Sequence, residues 1–120
     1  MGIGFRADGW NKGWTPSWSY SGFNLFRERL AQSVGIQLRE MEGFGEAQIS
    51  WDILADEIKP LLMHSDCDGT MSPEECRAVA PRLRELIAPW PADDYDRQHG
   101  ALLSDMMEFC AESNTDLLFC

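Results

Sequence analysis

The chain contains no apolar run longer than a few residues, far short of the roughly 20 needed to cross a bilayer. It also opens without the basic, then apolar, then small-residue succession of an export signal. A soluble, cytoplasmic protein with no membrane partner is expected. Met1-Gly2 begins like an N-myristoylation signal, but Arg6 stands where that signal needs Ser or Thr. Cysteine is scarce, and Cys67, Cys76, Cys110 and Cys120 form no CxxC pair, so reduced thiols are expected and a disulfide scaffold is not. Basic residues are outnumbered, ten Lys and Arg against twenty Asp and Glu, for a net charge of -10. The imbalance is uneven: residues 1–40 hold five bases against three acids, and the remainder five against seventeen. Such a field repels nucleic acid and attracts cations or basic protein surfaces, although acidity also serves solubility alone. Catalytic signatures are missing as well: there is no nucleophile elbow, phosphate-cradling glycine loop, HExxH pair or ordered Cys, His and Asp set. The carboxylates are spread along helical faces, so pairing any two as acid and base would be arbitrary, and no enzyme is expected.

What is present suffices for one domain spanning residues 1–120, with 44% hydrophobic and 11% aromatic residues to fill one core. Residues 1–20 are rich in Gly, Trp and Ser, and apart from a short strand at Ile3 to Arg6 they read as an ordered loop. Trp10, Trp14, Trp18 and Tyr20 are expected to fold over the core as a lid, with stacking on a sugar or base as the alternative. From Ser21, the spacing of Phe23, Phe26, Leu30 and Val34 predicts an amphipathic helix ending at Gly35, with Arg27, Glu28 and Arg29 facing outward. A second helix is predicted from Ser50, with Trp51, Leu54, Ile58, Leu61 and Leu62 on one face and a kink or restart at Pro60. Ser72, Pro73 and Glu75 announce a third helix through a capping box. Its apolar face is Cys76, Val79, Leu83, Leu86 and Ile87, and Pro81 is expected to kink it. A last helix starts near Asp93 or Asp94 and frays at Asn114, and the apolar tail Leu117 to Cys120 is placed as an edge strand beside Ile3 and Phe5. The expected fold is therefore mainly α, a small orthogonal helical domain with a helix-loop-helix over residues 50–88 and at most a minor two-stranded sheet joining the chain ends.

Between the second and third predicted helices, His64-Ser65-Asp66-Cys67-Asp68-Gly69-Thr70-Met71-Ser72-Pro73-Glu74-Glu75 resembles the twelve-residue EF-hand calcium loop. Only one register fits. His64 takes the first position, Asp66 the third, Asp68 the fifth, and Gly69 the sixth, where the chain turns sharply. Thr70 offers its backbone carbonyl at the seventh, Met71 is the inward apolar residue at the eighth, Ser72 holds the ninth, and Glu75 closes the twelfth. Starting at Asp66 would put Met71 at the glycine position and Arg77 at the final ligand. The resemblance implies a metal site made of His64, Asp66, Asp68, Thr70, Ser72 and Glu75, with Ca2+ as the expected cofactor. Calcium is a hard cation that takes six to eight oxygens, which a tight loop supplies by alternating ligands.

Two departures predict weak binding. His64 stands at a position that normally holds Asp, and its imidazole suits borderline metals better than calcium. No second loop is present to make a pair, because Asp93-Asp94-Tyr95-Asp96 lacks the glycine and the closing glutamate. Two other readings stay open. Asp68-Gly69 makes a turn and Ser72 to Glu75 a helix cap, with no ion, or His64, Cys67 and Cys76 hold zinc together with a carboxylate. The whole chain also resembles small uncharacterised proteins of actinobacteria and their phages, a likeness that implies no activity. The functional expectation is a small acidic EF-hand-like domain that binds a cation weakly or has lost the ability. The alternative is an acidic interaction module, phage-related, that occupies a basic site on a partner protein.

Overall fold

Short alternating segments from distant parts of the chain assemble into a sheet in the computed structural model, which describes residues 2–64 and 69–120. Strand β1 (Gly2–Arg6) buries Ile3 and Phe5, and β2 (Ser17–Ser19) buries Trp18 alone. Near the other end, β3 (Thr70–Met71) buries Met71 and β4 (Leu117–Phe119) buries Leu117 and Phe119. The period of two places all of these on one face, as a half-buried sheet requires. The strands run antiparallel in the order β2-β1-β4-β3, with Ile3 opposite Trp18, Phe5 opposite Phe119 and Met71 opposite Leu117. At Gly2 a Cβ would stand 2.4 Å from the Trp18 carbonyl oxygen, so only glycine lets β1 and β2 approach this closely.

This architecture overturns the expectation of a mainly α fold with a minor terminal sheet. The protein is mixed α/β, four helices and a four-stranded antiparallel sheet among the described residues. The chain ends do meet, but β4 lies between β1 and β3 instead of at an edge. Strands of two to five residues are too short to display a period, and their partners are far away in sequence.

Helix α1 (Tyr20–Ser33) starts at Ser19, whose hydroxyl accepts from the Gly22 N–H at 3.0 Å. It buries Phe23, Phe26, Leu30 and Ala31, and also Arg27, which is not outward as its charge suggested. The long second helix does not form. A 3₁₀ turn at Trp51–Ile53 is followed by extended backbone and then by the five-residue α2 (Lys59–Met63). Pro60 has no N–H for a longer ladder, and upstream Asp56 Oδ1 accepts from the Ile58 N–H at 3.0 Å, a local turn that competes with helix. The apolar face is buried all the same, through Trp51, Leu54, Ile58, Leu61 and Leu62.

Helix α3 (Pro73–Ile87) begins with both bonds of the capping box and continues through Pro81. Helix α4 (Tyr95–Ser113) packs along it and ends at Asn114, whose φ of 53 is left-handed. Arg84 of α3 joins the two by ion pairs to Asp105 at 2.5 Å and Glu108 at 2.8 Å. Arg82 holds Asp56 at 3.0 Å and so fastens the irregular segment before α2 to α3. No helix among the described residues is long and apolar enough to cross a membrane.

The aromatic residues of the N-terminal segment do not form one lid. Trp18 is a core residue stacked on Phe26 at 4.6 Å, Trp10 packs edge-on against Phe109, and Trp14 is 75% exposed.

Candidate functional site

The loop after α2 joins the sheet through its last residues. Gly69, at φ +99, takes the left-handed conformation of a sharp turn, at the residue where one was expected. Its carbonyl then accepts from the Phe119 N–H at 3.0 Å, and Thr70 and Met71 follow as β3 against β4. The end of this segment thus pairs with the C-terminal strand.

His64 sits at the loop entrance with its ring stacked on Phe119, 3.7 Å between centroids and 13° between planes. Its Nε2 lies 2.9 Å from the Thr70 carbonyl oxygen. A carbonyl only accepts, so this contact requires the proton on Nε2. The imidazole therefore holds the carbonyl oxygen that the EF-hand expectation assigned to a cation, and the residues expected at the first and seventh positions lie against each other. At the far end, the Ser72 N–H donates to Glu75 Oε1 at 3.0 Å and the Glu75 N–H donates to Ser72 Oγ at 3.1 Å. Both predicted oxygen donors thus serve the start of α3. Four predicted ligands, His64, Thr70, Ser72 and Glu75, border one stretch of backbone, whereas Asp66 and Asp68 lie outside the described residues. Among the described residues, no group of three or more His, Cys, Asp or Glu side chains is placed to hold a metal ion.

The zinc alternative loses a member. Cys76 points into the core, fully buried, with its thiol 3.9 Å from the Met71 carbonyl. Burial pushes the thiol up to about 12, with Cys110 adding to the shift. Cys67 lies outside the described residues.

Arg27 is the residue at this site that sequence reasoning missed. Its Nη1 donates to the carbonyls of His64 at 2.5 Å and Leu62 at 3.4 Å, at the C-terminal end of α2. The guanidinium lies over Phe23 at 4.8 Å and over Phe44 at 5.0 Å. A cleft of about 540 Å3 beside it is lined by Asn24, Glu42, Phe44, Met63 and His64. The signal was in the spacing: position 27 falls four after Phe23 and three before Leu30, on the apolar stripe itself.

A second polar cluster joins β2 to the start of α4. The Ser17 N–H donates to His99 Nδ1 at 3.1 Å, Tyr95 donates its hydroxyl to the Ser17 carbonyl, and the two rings stack at 3.9 Å. Burial holds the His99 imidazole below its ordinary value, although Asp96 works in the opposite direction. Arg29 pairs with Asp94 and Asp96 at 3.0 and 2.8 Å and lies 3.7 Å from the Trp90 ring centre. Each of these groups is satisfied by a neighbour that also ties elements together.

Comparison with protein-family models, with curated proteins and with solved structures finds no match to this chain.

Proposed function

We propose that this protein is a non-catalytic acidic interaction module for a basic protein surface, and that its EF-hand-like loop is vestigial as a calcium site. The observation that carries the reading is how its acids are distributed. Glu40, Glu42, Glu46, Asp52 and Glu57 fall in one stretch free of Lys and Arg, and all five are exposed and outside the ion pairs found among the described residues. Charge left unpaired on this scale steers and holds a partner of opposite sign. The contact of His64 with Thr70 supports the other half of the reading, because a protonated Nε2 takes up the carbonyl that a cation would use.

Titration calorimetry with a lysine-rich peptide tests it. Binding should weaken strongly between about 20 and 300 mM NaCl, over which the screening length falls from roughly 20 to about 6 Å. It should be the same in chelator and in calcium. Absence of binding, or binding that needs calcium, would overturn the reading.

A second reading, weak cation binding, is favoured by the left-handed Gly69 at the sixth position. In it the ion and His64 compete for Thr70. His64→Asp removes the competitor and supplies a carboxylate, so calcium should bind about tenfold more tightly, or about 1.4 kcal/mol. Calorimetry that gives equal affinity for mutant and parent would leave the loop as a turn and a cap.

A further inference from the structure

Each outer strand of the sheet is met by a histidine side chain. At β3, Nε2 of His64 donates to the Thr70 carbonyl, a bond that a neutral ring with its proton on Nε2 and an imidazolium both make. At β2, Nδ1 of His99 accepts from the Ser17 N–H at 3.1 Å. Only the neutral ring can do this, because an imidazolium carries a proton on both nitrogens. Helix α4 holds the same residue a second time, through the Tyr95 hydroxyl on the Ser17 carbonyl. The Tyr95 and His99 rings lie face to face, 3.9 Å between centroids and 13° between planes, so His99 cannot swing away from Ser17 without leaving Tyr95. One residue further on, Trp18 is fastened in another way. Asp96 Oδ1 accepts from its Nε1 at 2.9 Å, and its buried ring stacks on Phe26.

Asp96, one helical turn before His99, favours the charged ring, but its other oxygen accepts from Arg29 of α1 at 2.8 Å, which offsets that pull. From β2 come Ser17 and Trp18, neither of which titrates. Burial works against the charged form more than Asp96 works for it, so the ring is neutral at pH 7 and the bond to Ser17 is made.

We propose that His99 is an acid-released latch on the outer edge of β2: a solvent proton taken up at Nδ1 breaks the bond to Ser17 and frees the stretch before Trp18 from α4, while the rest of the sheet stays paired. The incoming proton faces the Ser17 N–H, donor against donor, so the ring turns out and the Tyr95 stack goes with it. Trp10, edge-on against Phe109 of α4, and Trp18 hold the ends of the stretch, and the freed part lies between them. That part turns through Gly13 at φ +79 and carries Trp14, already 75% exposed. The latch is closed at neutral pH and opens as pH falls from about 6.5, the ordinary histidine value, through the lower folded one. It does not depend on what the acidic face binds.

Amide hydrogen exchange of the full chain, read by NMR at about pH 7.5 and about pH 5 and normalised to the unstructured rate at each, tests the latch. Protection of the Ser17 amide should fall about tenfold or more at the lower pH, in step with the titration of the His99 ring. The Phe119 amide, bonded to the Gly69 carbonyl within the sheet, should change less than about twofold. The side chain placed by His99→Gln does not titrate, so in that variant Ser17 protection, whatever its level, should be the same at both pH values. Equal protection of Ser17 at the two pH values in the parent would overturn the latch, as would a fall of the same size in His99→Gln. A Phe119 amide that loses as much as Ser17 would mean a general loosening of the sheet and overturn it too.

Discussion

Arg27 carries a full charge at 1% exposure, which is tolerable only because the site around it is built for a cation. Carbonyls at the end of α2 accept from it, and two aromatic faces flank the guanidinium. Arg27→Met keeps much of the volume and removes the donors, leaving the Leu62 and His64 carbonyls to find others. A loss of about 2–4 kcal/mol in urea unfolding is expected, and an unchanged midpoint would show that α2 does not depend on this anchor. His99 gives a prediction in pH. Its folded value lies below the ordinary one, so the unfolded chain binds the proton more readily. Its contribution to stability is complete above about pH 6.5 and is lost as pH falls through the folded value. His99→Gln should flatten the stability profile between about pH 5 and 7. A profile of unchanged slope would place the sensitivity elsewhere.

At the scale of the element, α2 is too short to be stable alone, since isolated helices below about 12 residues are marginal in water. It stands because Arg27 caps its end and because Arg82 and Asp56 fasten the preceding segment. Arg82 also holds the Asp56 carboxyl below the usual range, so this contribution is present above the ordinary carboxylate value and is lost as pH falls through the folded one. Helix α3, by contrast, starts from its own local signal. Ser72→Ala removes the hydroxyl that accepts from Glu75 and should cost about 1 kcal/mol. Thermal melts of the parent and the variant at neutral pH would check it, and coincident melts would mean that tertiary packing alone sets the start of the helix.

For the whole molecule, the net charge of -10 acts against compactness. Three arginines, Arg29, Arg82 and Arg84, recruit acids from other elements and draw α1, α3, α4 and the segment before α2 together. The exposed acids of residues 40–57 have no such partners and repel one another. Stability should therefore rise as NaCl goes from about 10 to 150 mM, because screening relieves repulsion between exposed charges more than it weakens half-buried pairs. A fall in the unfolding midpoint over that range would show that the ion pairs outweigh the repulsion.

Local signals were enough for α1, α3 and α4, because caps at Ser72 and Asp94 and an apolar face at helical spacing act within a few residues. The turn at Gly69 and the buried set Trp51, Leu54, Ile58, Leu61 and Leu62 were legible for the same reason. The continuity of the second helix was not, since burial of those side chains is satisfied equally well by a 3₁₀ turn followed by a short helix. Nor was the sheet, whose strands acquire their pattern only once β4 has inserted between β1 and β3. The ring of His64 could be read as a ligand from its place in the loop. Its stacking on Phe119 exists only because the far end of the chain folds back beside it, an arrangement set by long-range packing that no neighbouring residue encodes.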